Sequence, residues 1–325
     1  MNRQTMGQSS ALRKTKRDFV LIVATMLAIA VLTISCHSRI HEIPVPDKTD
    51  KVPVRIKVSS IEQIPFSSVM TRADVQSACT KLCFAVFTGA GDGAVKEEQI
   101  VQSITDSVFG NVSLNLSVGK HYLAVVGQNG GDGNPSFTIN PPNSTYTSYS
   151  IRYSSGNKSM PKVLDTFHYC AEIDVVKGDN NYQVSLDRSV AMFRLVLTDT
   201  IPEQVCKLEF EYSNGSATLD VLNGYGCVTT KQSELFDVDS TMHVFELYTF
   251  PQRGKSVMKM SVKAYDVYGN TVAEMAWNDI PMTVNRITQY TGRLFKDGCR
   301  EFAQAGFPIT VNNEWAGTDE YSLSD

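Results

Sequence analysis

From residue 51 onward, apolar and polar positions alternate with a period of two in many short runs. Val52, Val54, Ile56 and Val58 fall on one face of such a run, with Pro53, Arg55 and Lys57 on the other. This is the signature of a half-buried strand, and Pro53, which has no amide hydrogen to donate, suits an edge strand or a strand start. Ser59 to Asp74, with Thr71-Arg72-Ala73 inside it, reads as a loop. Lys81–Thr88 reads as a second strand, and Val112–Leu116 and His121–Val126 as a hairpin across Gly119-Lys120. Residues 134–159 are rich in Ser, Thr, Asn and Tyr, the composition of a surface loop or a long insert. Strands resume at Tyr169–Val176 and Tyr182–Leu186, and Asp187-Arg188 marks a joint.

The second half repeats the alternation at Val190–Leu197, Cys206–Tyr212, Ala217–Leu222, His243–Phe250, Val257–Val267, Thr271–Trp277, Ile287–Phe295 and Phe307–Val311. Tyr268-Gly269-Asn270 marks a hairpin between two of these runs. Many short β-rich runs, turn signals between them and few amphipathic helices predict an all-β chain of β-sandwiches. No internal sequence repeat aligns the two halves. At ~150 residues per domain the length fits two domains, expected at 52–187 and 188–325, each long enough to bury a core.

The segment before residue 51 follows different rules. Arg13, Lys14, Lys16 and Arg17 precede an apolar run from Phe19 to Ile34, broken only by Thr25 and Thr33, and Ser35-Cys36 follows. A charged start, an apolar centre and a small residue before the cut make a secretory signal, and the run is short for a membrane span of ~20 residues. The Ser35-Cys36 end resembles a bacterial lipobox, with Thr33 in place of the usual leucine. The resemblance implies a signal peptide at 1–35, cleavage before Cys36, lipid (palmitate) on that cysteine, and a tether over 36–51.

Cleavage changes the charge. The whole chain carries 30 Lys+Arg against 34 Asp+Glu. Removal of 1–35 takes five basic residues and one acidic residue, leaving 25 against 33, a net of −8. An acidic chain gives no electrostatic case for nucleic acid. Besides Cys36, six cysteines remain, Cys79, Cys83, Cys170, Cys206, Cys227 and Cys299, an even number that permits three disulfides. Cys83 alternates with Ala85 and Phe87 and reads as a small buried hydrophobe.

Catalytic patterns are missing. The five histidines form no metal-ligand spacing, and those in strand patterns, His121 and His243, read as structural. There is no nucleophile elbow, and Gly127–Gly133 lacks the spacing of a phosphate cradle. The sequence therefore predicts no catalytic residue, no metal and no cofactor, and a protein that is not an enzyme.

Several segments, in order and spacing, resemble the FimB-type fimbrial anchor family of type V pili in Bacteroidia. They are KLCFAVFTGAGDGAVKEEQ (81–99), SVFGNVSLNLSVGKHYLAVVGQNG (107–130) and SLDRSVAMFRLVLTDTIPE (185–203). With them go GYGCV (224–228), FELYTFP (245–251), VKAYDVYGN (262–270), NRITQYTGRLF (285–295) and ITVNNEWAG (309–317). The resemblance implies two transthyretin-like β-sandwich domains in tandem. It implies an outer-membrane lipoprotein of the fimbrium that supports cell adhesion and joins other fimbrial subunits by donor-strand addition. In strand addition, main-chain hydrogen bonds give affinity and alternate side chains give specificity. The residues after the cysteine, His37-Ser38-Arg39-Ile40-His41-Glu42, depart from the acidic export tag that some lipoproteins of the lineage carry.

Phe307, Ile309 and Val311 share one face of a run that could close its own sandwich or be donated to a neighbour. Stalk subunits of the lineage are cut after an arginine; Arg72 is the residue so placed here, and the anchor-like segment pattern predicts that it stays uncut. Tyr146, Tyr149 and Tyr153 offer flat apolar rings with polar tips, the basis of an alternative reading as a lipoprotein that binds surface glycans or a host ligand. Asp106-Ser107-Val108, Asp199-Thr200-Ile201 and Asp239-Ser240-Thr241 resemble the short O-glycosylation sequence of exported proteins of this bacterial group.

Overall fold

The computed structural model describes residues 51–63, 71–73, 75–88, 93–130, 137–140, 150–153, 162–255 and 257–295. The first strands are β1 (Lys51–Gln63), β2 (Thr71–Ala73), β3 (Lys81–Thr88), β4 (Val95–Ser103), β5 (Asn111–Ser117), β6 (Gly119–Asn129), β7 (Phe137–Asn140), β8 (Ser150–Tyr153), β9 (Asp165–Val175) and β10 (Asn180–Arg188). There follow β11 (Ala191–Leu197), β12 (Val205–Ser213), β13 (Thr218–Asp220), β14 (Tyr225–Gly226), β15 (Gln232–Asp237), β16 (Val244–Thr249), β17 (Val257–Asp266), β18 (Thr271–Pro281) and β19 (Ile287–Gly292). One helical turn, Val75–Ala78, interrupts them. The protein is all-β.

Two seven-strand sandwiches account for most of these elements. In the first, β5-β1-β10 forms one layer and β4-β3-β6-β9 the other, and the sheet turns the corner where Asp187 and Arg188 pair with His168 and Phe167. In the second, β16-β11-β19 faces β15-β12-β17-β18. Taken in chain order the strands occupy the same places in both. In each, the first strand pairs in parallel with the last, β1 with β10 and β11 with β19. The two halves share this topology although their sequences share no readable repeat, because strand order depends on alternation and turn placement rather than on residue identity.

Each sandwich has its own core. Val54, Ile56, Phe84, Leu123, Val125 and Val184 are among the residues that fill the first. Phe193, Phe210, Phe245, Val262 and Tyr290 are among those that fill the second. A third cluster lies on the outer face of β3 and β6, where Cys83, Phe87 and Val126 meet Tyr153, Leu219, Met192 and Ile287. It is built by a fourth sheet, β14-β13-β8-β7, which takes two strands from each side of the Asp187-Arg188 joint.

Several expectations need correction. The hairpin across Gly119-Lys120 is absent: β5 pairs with β1, while β6 pairs with β3 and β9, so the turn carries the chain between layers. β1 is no edge strand. It lies between β5 and β10, and Pro53 is accommodated near its start, ahead of the β10 ladder that begins at Val54. The expected loop from Ser59 holds the end of β1, and Thr71–Ala73 returns as a strand against it. The polar stretch 134–159 contributes β7 and β8, which pair with each other, and β8 pairs with β13, a partner the local composition does not reveal. Among the described residues no disulfide links Cys79, Cys83, Cys170, Cys206 or Cys227. Cys83 lies fully buried between Leu82 and Phe84 in β3.

Candidate functional site

β1, Lys51–Gln63, is the first described strand and follows the expected tether. Val54, Ile56, Val58 and Ile61 are all buried, at most 3% exposed. Simple alternation would send Ile61 outward, but the register shifts between Val58 and Ser60 and returns it to the core. The shift also brings hydroxyls to the ladder. Ser59 Oγ donates to the Val184 carbonyl at 3.2 Å, Ser60 Oγ lies 2.9 Å from Ser185 Oγ, and Ser185 Oγ is 3.2 Å from the Ser60 carbonyl.

Charged clusters fix both ends of this layer. At the start of β1, Lys51 Nζ lies 3.3 Å from Glu97 Oε1, and His121 Nδ1 lies 3.3 Å from Glu97 Oε2. Glu97 is the extra residue of a bulge in β4, where Val86 pairs with Glu98 but Phe87 with Lys96. His121 is buried and its Nε2 donates to the Ser117 carbonyl at 2.7 Å.

At the other end, Arg188 closes β10. Its Nε and Nη2 donate to the two carboxylate oxygens of Asp165 at 2.8 and 3.0 Å, a bidentate pair. Its Nη1 donates to Asn285 Oδ1 at 3.2 Å, and its guanidinium stacks over the Phe167 ring at 4.9 Å. Asn285 belongs to the turn before β19, so one guanidinium joins both sandwiches. Burial pushes the Asp165 carboxyl above its ordinary range, and Arg188 opposes that shift. Beside this joint, His168 Nδ1 lies 2.8 Å from Ser189 Oγ. The turn at Gly224, with φ +70°, passes so close over the imidazole that a Cβ would collide with it. Burial lowers the His168 titration range, against the pull of Asp187 and Asp220.

Of the sequence-predicted site residues, Arg72 and Tyr153 fall among the described residues. Cys36, Tyr146, Tyr149, Phe307, Ile309 and Val311 lie outside the described residues. The Arg72 backbone sits in β2, opposite Glu62 of β1. Tyr153 is corrected from a ligand-loop residue to a core residue. It is fully buried in β8, its hydroxyl lies 2.8 Å from Thr166 Oγ1, and its ring packs 6.1 Å from that of Phe250. Ser107, Thr200 and Ser240 are all exposed. Among the described residues no group of three or more His, Cys, Asp or Glu is placed to hold a metal. The Glu97–His121 and Asp165–Arg188–Asn285 clusters escaped sequence reading, since their members lie far apart in the chain. Only the Asp187-Arg188 joint was visible.

Several solved structures share this fold. A candidate adhesin from Bacteroides ovatus superposes with a TM-score of 0.51 at 13% identity, over 86% of this chain and 98% of its own. A candidate polysaccharide-binding protein from Bacteroides thetaiotaomicron gives 0.52 at 10% identity, over 84% and 98%. The fimbrial anchor protein Mfa2 from Porphyromonas gingivalis gives 0.46 at 8% identity, over 74% and 91%. No curated protein matches the sequence. Residues 47–319 match the family of fimbrillin-A associated anchor proteins Mfa1 and Mfa2, and the chain belongs to that family. It is thus a structural protein of cell-surface fimbriae.

Proposed function

We propose that this protein is an outer-membrane lipoprotein, lipidated at Cys36, that anchors a fimbrium and associates with other fimbrial subunits by strand addition, so supporting adhesion. The observation that carries the anchor role is the closure of β1 between β5 and β10 within its own chain. The strand that follows the tether is part of the core, so the lipid is held through a folded domain rather than a dispensable leader. Two domains, 52–187 and 188–325, meet at Arg188 in this reading. Phe307, Ile309 and Val311 remain the proposed donor strand.

Mass spectrometry of the mature N-terminus from native membranes tests the proposal. Acylated Cys36, with 37–72 still attached, is the expected result. Stable anchoring takes two or more acyl chains, which a diacyl or triacyl cysteine supplies. An N-terminus at Ala73 would make this a processed stalk or tip subunit. The glycan-binding alternative keeps only Tyr146 and Tyr149 of its three rings, since Tyr153 is buried.

A further inference from the structure

The path of the chain through both sandwiches has a mechanical consequence. β1 begins at Lys51, and its ladder with β10 runs in parallel from Val54↔Asn180 to Glu62↔Asp187. The chain therefore enters the first sandwich at one end of this pair and leaves it, through Arg188, at the other. The second sandwich repeats the arrangement. The chain enters at Ala191 and leaves past Gly292, and β11 and β19 run in parallel from Met192↔Ile287 to Leu197↔Gly292.

Tension applied through the chain then pulls the two strands of each pair in opposite directions along their own axes. Hydrogen bonds in a parallel ladder are evenly spaced, so under this shear they carry the load together. Strands pulled apart from the same end would open one bond at a time. In the first sandwich β1 is also sheared against β5, and the hydroxyls of Ser59, Ser60 and Ser185 add bonds across β1 and β10. The Lys51–Glu97 pair sits where the pull enters, and the Arg188–Asp165 and Arg188–Asn285 bonds sit where it passes on.

We propose that the two first-to-last strand pairs are tension clamps in series, and that bearing axial load is a function of this chain. The biological use of such clamps rests on the anchor reading above, whereas the clamp itself is a property of the isolated protein.

Single-molecule pulling on the full chain separates the two ideas. In one molecule the handles are attached by click-reactive amino acids at positions 50 and 325. In the other they are at positions 50 and 179, the latter replacing exposed Asp179 in the turn before β10. The second geometry draws the starts of β1 and β10 apart from the same end. The expected peak force is about twofold or more higher in the first geometry at equal speed, because the ladder bonds share the load. The double variant Ser60→Ala/Ser185→Ala, with circular dichroism to verify folding, is expected to lower the end-to-end force and leave the 50/179 force nearly unchanged. Equal peak forces in the two geometries would overturn the clamp whatever the protein anchors. High end-to-end force in a protein found without lipid on Cys36 would keep the clamp and remove the anchor.

Discussion

Arg188 grips Asp165 through both carboxylate oxygens, and the same guanidinium reaches Asn285 in the other sandwich. The pair is buried, Arg188 at 6% exposure. Breaking a buried pair from one side leaves an uncompensated charge, at a cost of about 3–5 kcal/mol. Arg188→Met is therefore expected to lower unfolding free energy by that amount, and Asp165→Asn by less, because an amide still accepts a bond from the guanidinium. Equilibrium denaturation of both variants and of the double variant measures the coupling. Independent, additive losses would show that the two side chains do not act as a unit.

His168 gives the joint a pH dependence. Its folded titration range lies below the ordinary one because of burial, with Asp187 and Asp220 opposing. As pH falls through the unfolded value of ~6.5, the unfolded chain takes up the proton first. Stability that is fully present above that value is lost below it. Melting temperature is expected to drop as pH falls through about 6.5, and His168→Gln is expected to reduce the drop. An identical drop in the variant would assign the effect to other groups.

Gly127 and Cys79 make a steric pair. A Cβ at Gly127 would lie 2.6 Å from Cys79 Sγ and 3.1 Å from Leu186 Cδ1. Cys79 is buried, and burial pushes its thiol well above its ordinary range, so it fills space rather than reacting. Overpacking of this kind costs about 1–3 kcal/mol. Gly127→Ala is expected to destabilise by that amount, and adding Cys79→Ala to restore part of it. A double variant no more stable than the sum of its singles would place the strain elsewhere.

Alternation made the inward strands legible. β3 begins and ends where KLCFAVFT predicts, β9, β11, β12 and β17 lie within a few residues of their expected spans, and β1 starts as expected but runs five residues further. β4 and β15 were not legible for a physical reason. Each is an outer strand of its layer, and VKEEQIVQS and QSELFD carry charges where a central strand would carry apolar residues. Pairing was also hidden. Nothing local tells β5 to join β1 rather than β6, since that choice is made by the burial of Val112, Leu114 and Leu116 in the shared core. The joint shows the same limit: Arg188 was readable as a boundary, but its partners Asp165 and Asn285 were not.

The first strand is held by its buried face. Val54, Ile56, Val58 and Ile61 are nearly inaccessible to solvent, and full burial stabilises such side chains by ~1.5–3 kcal/mol each as an upper estimate. Four of them give roughly 6–12 kcal/mol before any ladder bond is counted. A protease site placed between Gln63 and Thr71 cuts the covalent link after β1 without touching its ladders with β5 and β10. The nicked protein is expected to keep the fragment that carries β1 through size-exclusion chromatography, and to release it only in denaturant. Ile56→Ala, with an expected loss of about 2–5 kcal/mol, should shift that release to lower denaturant. If the fragment departs in native buffer, β1 is an exchangeable strand, and its groove is open to a strand from another subunit.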